Sequence, residues 1–133
     1  MRIMHTRTVM SSEKFQQVTG YSAVVGAILA ALRRDARFDQ ETMAKKAGLT
    51  QSAWSRIEAG ATQITVSQLA TAARALQMTP SGIMKRADAL ASQLSRGGVR
   101  VEDSVPRDPK SSHIVVGRAT LIALASKLLT RGE

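Results

Sequence analysis

FDQETMAKKAGLTQSAWSRIEAG, residues 38–60, decides the fold. Met43, Ala44 and Ala47 recur at helical spacing and predict a helix over about 40–47. Trp54 and Ile57 predict a second over about 51–59. Gly48 and Leu49 make the corner between them, with Leu49 expected to pack beneath it. Glycine suits the left-handed backbone that commonly ends a helix, where any other residue brings a Cβ clash. Thr50 is placed to cap the second helix, its hydroxyl accepting a first-turn N–H, and Gly60 stops that helix. Trp54 and Ile57 are three apart and share one face. With an aliphatic partner, Trp54 reads as core rather than as a platform for stacking bases. The opposite face carries Gln51, Ser52, Ser55 and Arg56 and looks outward. Two helices joined through a glycine-bearing corner form the core of a helix-turn-helix, whose second helix can enter the DNA major groove.

Working outward, Glu13 to Arg37 is expected to hold a long helix, clearest from Ser22, with Val25, Ile28, Leu29 and Leu32 on a buried face. Arg33, Arg34 and Arg37 close it on the polar side, where cations suit the negative end of the helix dipole. They read either as solvated charge or as phosphate contacts. On the other flank, Gly60 to Ile64 is a loop. Thr65 and Gln68 have the spacing of a capping box, and Leu69, Ala70, Ala73 and Leu76 give the following helix its inward face. Thr79 caps the next helix, Pro80 fits its first position, and the helix runs to about Ser95. Its apolar residues Ile83, Ala87, Leu90 and Leu94 make a seam wider than a monomer core needs, suited to a second chain.

Arg96-Gly97-Gly98 breaks the helix, and residues 99–112 read as a linker with two prolines. A short hairpin could form there, with Val99 and Val101 in one strand and Ile114 to Val116 in the other. Gly117 to Thr130 is an amphipathic helix whose stripe is Leu121, Ile122, Ala125, Leu128 and Leu129. That stripe can fold back on its own domain, join a partner chain or lie on a membrane. Its polar face has too little basic character to favour the membrane. The organisation expected is a flexible arm over 1–15, a helix-turn-helix domain over 16–95, and a linker with a dimerising helix over 96–133.

The 133 residues carry 19 Lys and Arg against 10 Asp and Glu, a net charge of +9. Nine of the bases and four of the acids lie in residues 21–87, so the excess concentrates in the central unit. A polyanion is the natural partner. Aromatics make up only 3%, which leaves an aliphatic core suited to closely packed helices. Cysteine is absent, so disulfides and thiolate metal sites are excluded. The apolar run Ala23 to Leu32 is too short to span a membrane and lacks the flanks of a signal peptide, so a cytoplasmic location is expected.

Residues from about Val24 to Met84 resemble the lambda-repressor-like, Cro/C1 type (XRE family) helix-turn-helix domain of bacterial and phage regulators. The matching residues are Gln40-Glu41, Ala44, Ala47-Gly48-Leu49-Thr50-Gln51-Ser52, Ser55-Arg56-Ile57-Glu58, Gly60, then Thr65, Leu69, Ala73 and Ala75-Leu76. The resemblance implies an all-α fold: five helices, the second and third forming the motif, followed by the linker and the C-terminal amphipathic helix. It implies that Gln51 and Arg56 read base edges, Gln suiting adenine and Arg suiting guanine, with Ser52 and Ser55 as secondary contacts. Gln40 would bond a phosphate and brace Gln51, and Thr50, Thr62 and Gln63 would face phosphates. Glu58 would bond within the fold, because a carboxylate facing phosphate is repelled. The loop Ala61-Thr62-Gln63-Ile64 lacks the basic residues common in the family. Arg33, Arg34, Arg37, Lys45 and Lys46 are the candidates to compensate.

Function expected on these grounds is a dimeric, sequence-specific DNA-binding transcriptional regulator, most simply a repressor on a palindromic operator of double-stranded DNA. The alternative is an antitoxin-type autorepressor or a protein-binding adaptor that holds a partner with its C-terminal helix. An enzyme is disfavoured: His5 and His113 are the two histidines, both in segments read as irregular, and neither a Gly-rich phosphate loop nor metal-ligand spacing is present. No cofactor is expected.

Overall fold

The computed structural model describes residues 16–103 and 114–130. A short strand, β1 (Gln17–Gly20), runs directly into α1 (Tyr21–Asp35). Helices α2 (Gln40–Ala47), α3 (Gln51–Glu58), α4 (Val66–Ala75) and α5 (Pro80–Arg96) follow. Beyond the Gly97-Gly98 turn come β2 (Arg100–Glu102), β3 (Ile114–Val115) and α6 (Arg118–Thr130). The fold is mostly helical, as expected. The arm over 1–15 and both histidines lie outside the described residues.

Local chemistry sets the helix boundaries. Gly48 ends α2 with φ of 74°, the left-handed conformation read from its sequence. Thr50 accepts Ala53 N–H at 3.1 Å. Thr65 and Gln68 complete the capping box in both directions, at 2.9 and 3.1 Å. Thr79 caps α5 through Gly82 N–H, with Pro80 in its first turn. Asp39 adds a cap that the sequence reading did not single out, accepting Thr42 N–H at 2.7 Å.

α1 lies at the centre. Every residue from Val24 to Ala31 is buried, and α3, α5 and α6 all pack on it. A helix apolar on all sides needs cover on all sides, and α6 supplies the part that the five-helix bundle leaves open. Leu121, Ile122 and Ala125 are therefore buried in the chain's own core, with Leu128 and Leu129 half-buried at its edge. Of the fates open to that stripe, the structure takes the fold-back.

Ile83, Ala87, Leu90 and Leu94 are buried as well. They pack α5 against α1, and α5 also meets α4, β2 and α6. The dimerising role expected for this seam and for Leu121, Ile122 and Ala125 is thus corrected, because side chains already out of solvent have no surface left for a second chain. The seam is wider than a five-helix bundle needs because α5 also carries β2 and α6.

The long helix, expected within Glu13 to Arg37 and clearest from Ser22, begins at Tyr21, and residues 17–20 before it are extended and pair in a sheet. One expectation about the strands changes: Val99–Val101 and Ile114–Val116 do not form a hairpin. The sheet order is β2-β1-β3, both neighbours run parallel to β1, and the registers are Val18↔Arg100 and Val18↔Val115. Val116 N–H closes the ladder on Val18 carbonyl at 2.9 Å. A tight hairpin requires antiparallel neighbours, whereas here a strand from the opposite end of the chain sits between the two. β1, β2, β3 and α6 thereby join the other helices around one core that includes Val99 and Val116.

The contact of α1 with the end of α3 is backbone to backbone. A Cβ added at Gly26 would lie 2.3 Å from Ile57 carbonyl oxygen and 2.6 Å from that of Glu58. Gly26→Ala should therefore cost about 1–3 kcal/mol or more, whereas Gly97→Ala, whose Cβ would meet nothing nearer than 3.5 Å, should stay within about 0.5 kcal/mol. Urea denaturation of the two variants checks the difference. By the same method, Leu121→Ala should cost about 2–5 kcal/mol, the loss expected from a buried leucine; a value near zero would mean that α6 is not part of the core.

Candidate nucleic-acid interface

The second helix of the motif, α3, is anchored from behind. Trp54 and Ile57 are buried, as their spacing predicted, and Glu58 is only 1% exposed. A buried carboxylate must be paired and hydrogen-bonded, and Glu58 is. Arg33 grips it with a two-pronged bond, Nε to Oε2 at 2.5 Å and Nη2 to Oε1 at 3.1 Å. Trp54 Nε1 donates to Oε2 at 2.6 Å and Gln40 Nε2 to Oε1 at 2.9 Å. Burial alone would raise the Glu58 carboxyl above the ordinary range, but the bonds from Arg33, Gln40 and Trp54 outweigh it and hold the group low. Glu58 is structural, as the sequence reading had it.

This cluster removes Arg33 from the expected DNA face and ties Gln40 to the core through one bond. Arg33 is 6% exposed. Its third nitrogen donates to Phe38 carbonyl at 2.9 Å, so its charge is directed inward and the phosphate role is corrected. Gln40 is half-buried, with its amide nitrogen committed to Glu58 rather than braced on Gln51. Sequence position could not reveal either pairing, because the partners lie 25 and 18 residues away and on different helices.

What remains outside is coherent. Gln51, Ser52 and Arg56 are exposed on α3 and Ser55 is half-buried. Thr50, at the start of that helix, is exposed; its oxygen accepts a backbone N–H, and its hydroxyl hydrogen can still be given to an oxyanion. Thr62 and Gln63 are exposed on the loop after α3. Arg34, Arg37, Lys45 and Lys46 are exposed too, with the Lys46 ammonium 5.0 Å from the Phe38 ring centroid. Gln51, Ser52 and Arg56 therefore stand in solvent on the side of α3 away from the buried Trp54 and Ile57. Among the described residues no group of His, Cys, Asp and Glu could hold a metal ion, and no helix is long and apolar enough to cross a membrane.

Arg118 opens α6. It reaches across to Glu58, Nη2 to Oε1 at 3.4 Å, with its side chain 40% exposed. Nothing in the sequence links residues 58 and 118; only the fold-back of α6 brings them together.

Removing the Glu58 carboxylate leaves Arg33 buried without its counter-charge. Glu58→Gln should cost about 3–5 kcal/mol at neutral pH. Because the folded-state value lies below the ordinary 4.5, the contribution is present in full above that pH and fades as pH falls through the folded-state value. Denaturation midpoints of wild type and Glu58→Gln should therefore converge on acidification below about pH 4.5; a gap that stays constant down to pH 3 would refute the linkage.

Comparison with known proteins agrees with this geometry. Residues 24–83 match the family model described as a helix-turn-helix domain. No curated protein matches the sequence. Among solved structures, the crystal structure of the clp gene regulator ClgR from Corynebacterium glutamicum superposes with a TM-score of 0.56 at 18% identity. The match spans 58% of this chain and 82% of that one, and at such identity it speaks for the fold. Residues 24–83 are thus similar to a helix-turn-helix domain, with a strand before that stretch and two strands and a helix after it.

Proposed function

We propose that the protein is a sequence-specific DNA-binding transcriptional regulator that presents α3 to the major groove. The observation that carries this reading is the two-sidedness of α3. Its inner face is tied down by Trp54, Ile57 and Glu58, while Gln51, Ser52 and Arg56 stand in solvent. Gln and Arg are the side chains that bond adenine and guanine edges in two places at once. The net charge of +9 supplies the phosphate attraction that sets affinity and its salt dependence. Arg34, Arg37, Lys45, Lys46, Thr50, Thr62 and Gln63 are the proposed phosphate-facing set.

A regulator of this kind binds an operator most simply as a homodimer, with two recognition helices in successive grooves about 34 Å apart on a palindromic site. Repression by occlusion of polymerase fits a domain of this size. Pairing would have to use surface other than the Ile83–Leu94 seam, which is spent inside the chain. Burial of Leu121, Ile122 and Ala125 in the chain's own core speaks against the adaptor and antitoxin readings, which call on that stripe of α6 to hold a partner.

Selection of bound fragments from random duplex DNA, followed by affinity measurements on the selected site, tests the reading. Arg56→Ala and Gln51→Ala should each weaken binding by about 1–3 kcal/mol and relax preference at one base position. Two variants that bind the selected site as tightly as wild type would overturn these roles.

A further inference from the structure

We infer that Arg118 of the C-terminal helix is a DNA-phosphate contact, supplying from α6 the cation missing from the loop after α3. This rests on the DNA-binding reading above and adds a residue from outside the helix-turn-helix domain to it.

Three observations converge. The loop Ala61-Thr62-Gln63-Ile64 carries no charge although it follows the recognition helix directly. Arg118 stands at the start of that loop: with Ala59, Gly60 and Ala61 it lines one cleft of about 220 Å³, and Ala61 N–H is bonded to Arg56 carbonyl at 2.9 Å. The cation therefore lies at the junction of a base-reading helix with its uncharged loop. Third, Glu58 does not need Arg118. Arg33, Trp54 and Gln40 serve its two oxygens at 2.5–3.1 Å, and one buried guanidinium already balances its charge. The Arg118 contact is longer, 3.4 Å, and the side chain is 40% exposed. One positive charge at this place is in excess. A planar guanidinium with most of its donors unspent is the group that best takes a phosphate. Glu58 orients it loosely without consuming it.

The alternative is that Arg118 merely buttresses α3 through Glu58. Affinity alone cannot separate the two, but the salt dependence of affinity can, because each phosphate contact releases counterions and adds about 0.9 to the slope of log K against log salt. The experiment uses the full chain and a random-sequence duplex, with wild type, Arg118→Gln and Arg118→Lys measured between 50 and 200 mM salt, and urea denaturation confirming that each variant is folded. The expected result is that Arg118→Gln lowers the slope by about one and weakens binding about tenfold near 0.1 M salt, while Arg118→Lys, which keeps the charge, retains the wild-type slope. An unchanged slope in Arg118→Gln, or an equal loss in Arg118→Lys, would overturn the contact while leaving the DNA-binding reading intact. Wild type without any salt-dependent duplex affinity would overturn both.

Discussion

The buried carboxylate of Glu58 is the point on which the rest of the molecule turns. Apolar packing holds helices together but tolerates small rotations, whereas a carboxylate that accepts bonds from three directions does not. Arg33 comes from the end of α1, Gln40 from the start of α2, and Trp54 from one turn back on α3 itself. Those bonds fix the rotation of α3 about its axis and so determine which side chains point away from the core. Such a cluster need not add stability over an apolar substitute. Its value here lies in direction: without Glu58 the Arg33 charge stays buried unpaired, so α1 and α3 meet where that pair can form.

Behind that point stands the close approach of α1 and α3. Gly26 lets the α1 backbone meet the carbonyls of Ile57 and Glu58 directly, which is what brings the Arg33 side chain within reach. α1 in turn is apolar from Val24 to Ala31 and cannot present any face to water. The strands and α6 complete its enclosure. The appended segments are thus part of the same folding unit as the motif, and Arg118 reaches the end of α3 because α6 has to lie where α1 needs cover.

Local chemistry was legible in the residues themselves. The corner at Gly48, the caps at Thr50, Thr65 and Thr79, and the inward Trp54–Ile57 pair all depend on neighbours within four residues or so, and they stand in the structure where the spacing put them. The outward set on α3 followed from the same periodicity. Less legible were the partners of charges. Arg33 was grouped with Arg34 and Arg37 because the three share a helix end, yet only Arg33 turns inward, toward a carboxylate 25 residues away.

The amphipathic patterns show the same division. The stripes on α5 and α6 were plain, but a stripe states only that a face must be buried, not against what; here the chain's own α1 covers both. The β-prone stretches at 99–101 and 114–116 were also visible, but strand pairing is a long-range choice, and a β1 from the opposite end of the chain came between them. Interactions that close within a turn of helix are written in residue order. Those that depend on which distant surfaces meet, including the placing of Arg118 beside the end of α3, exist only once the chain has folded back on α1.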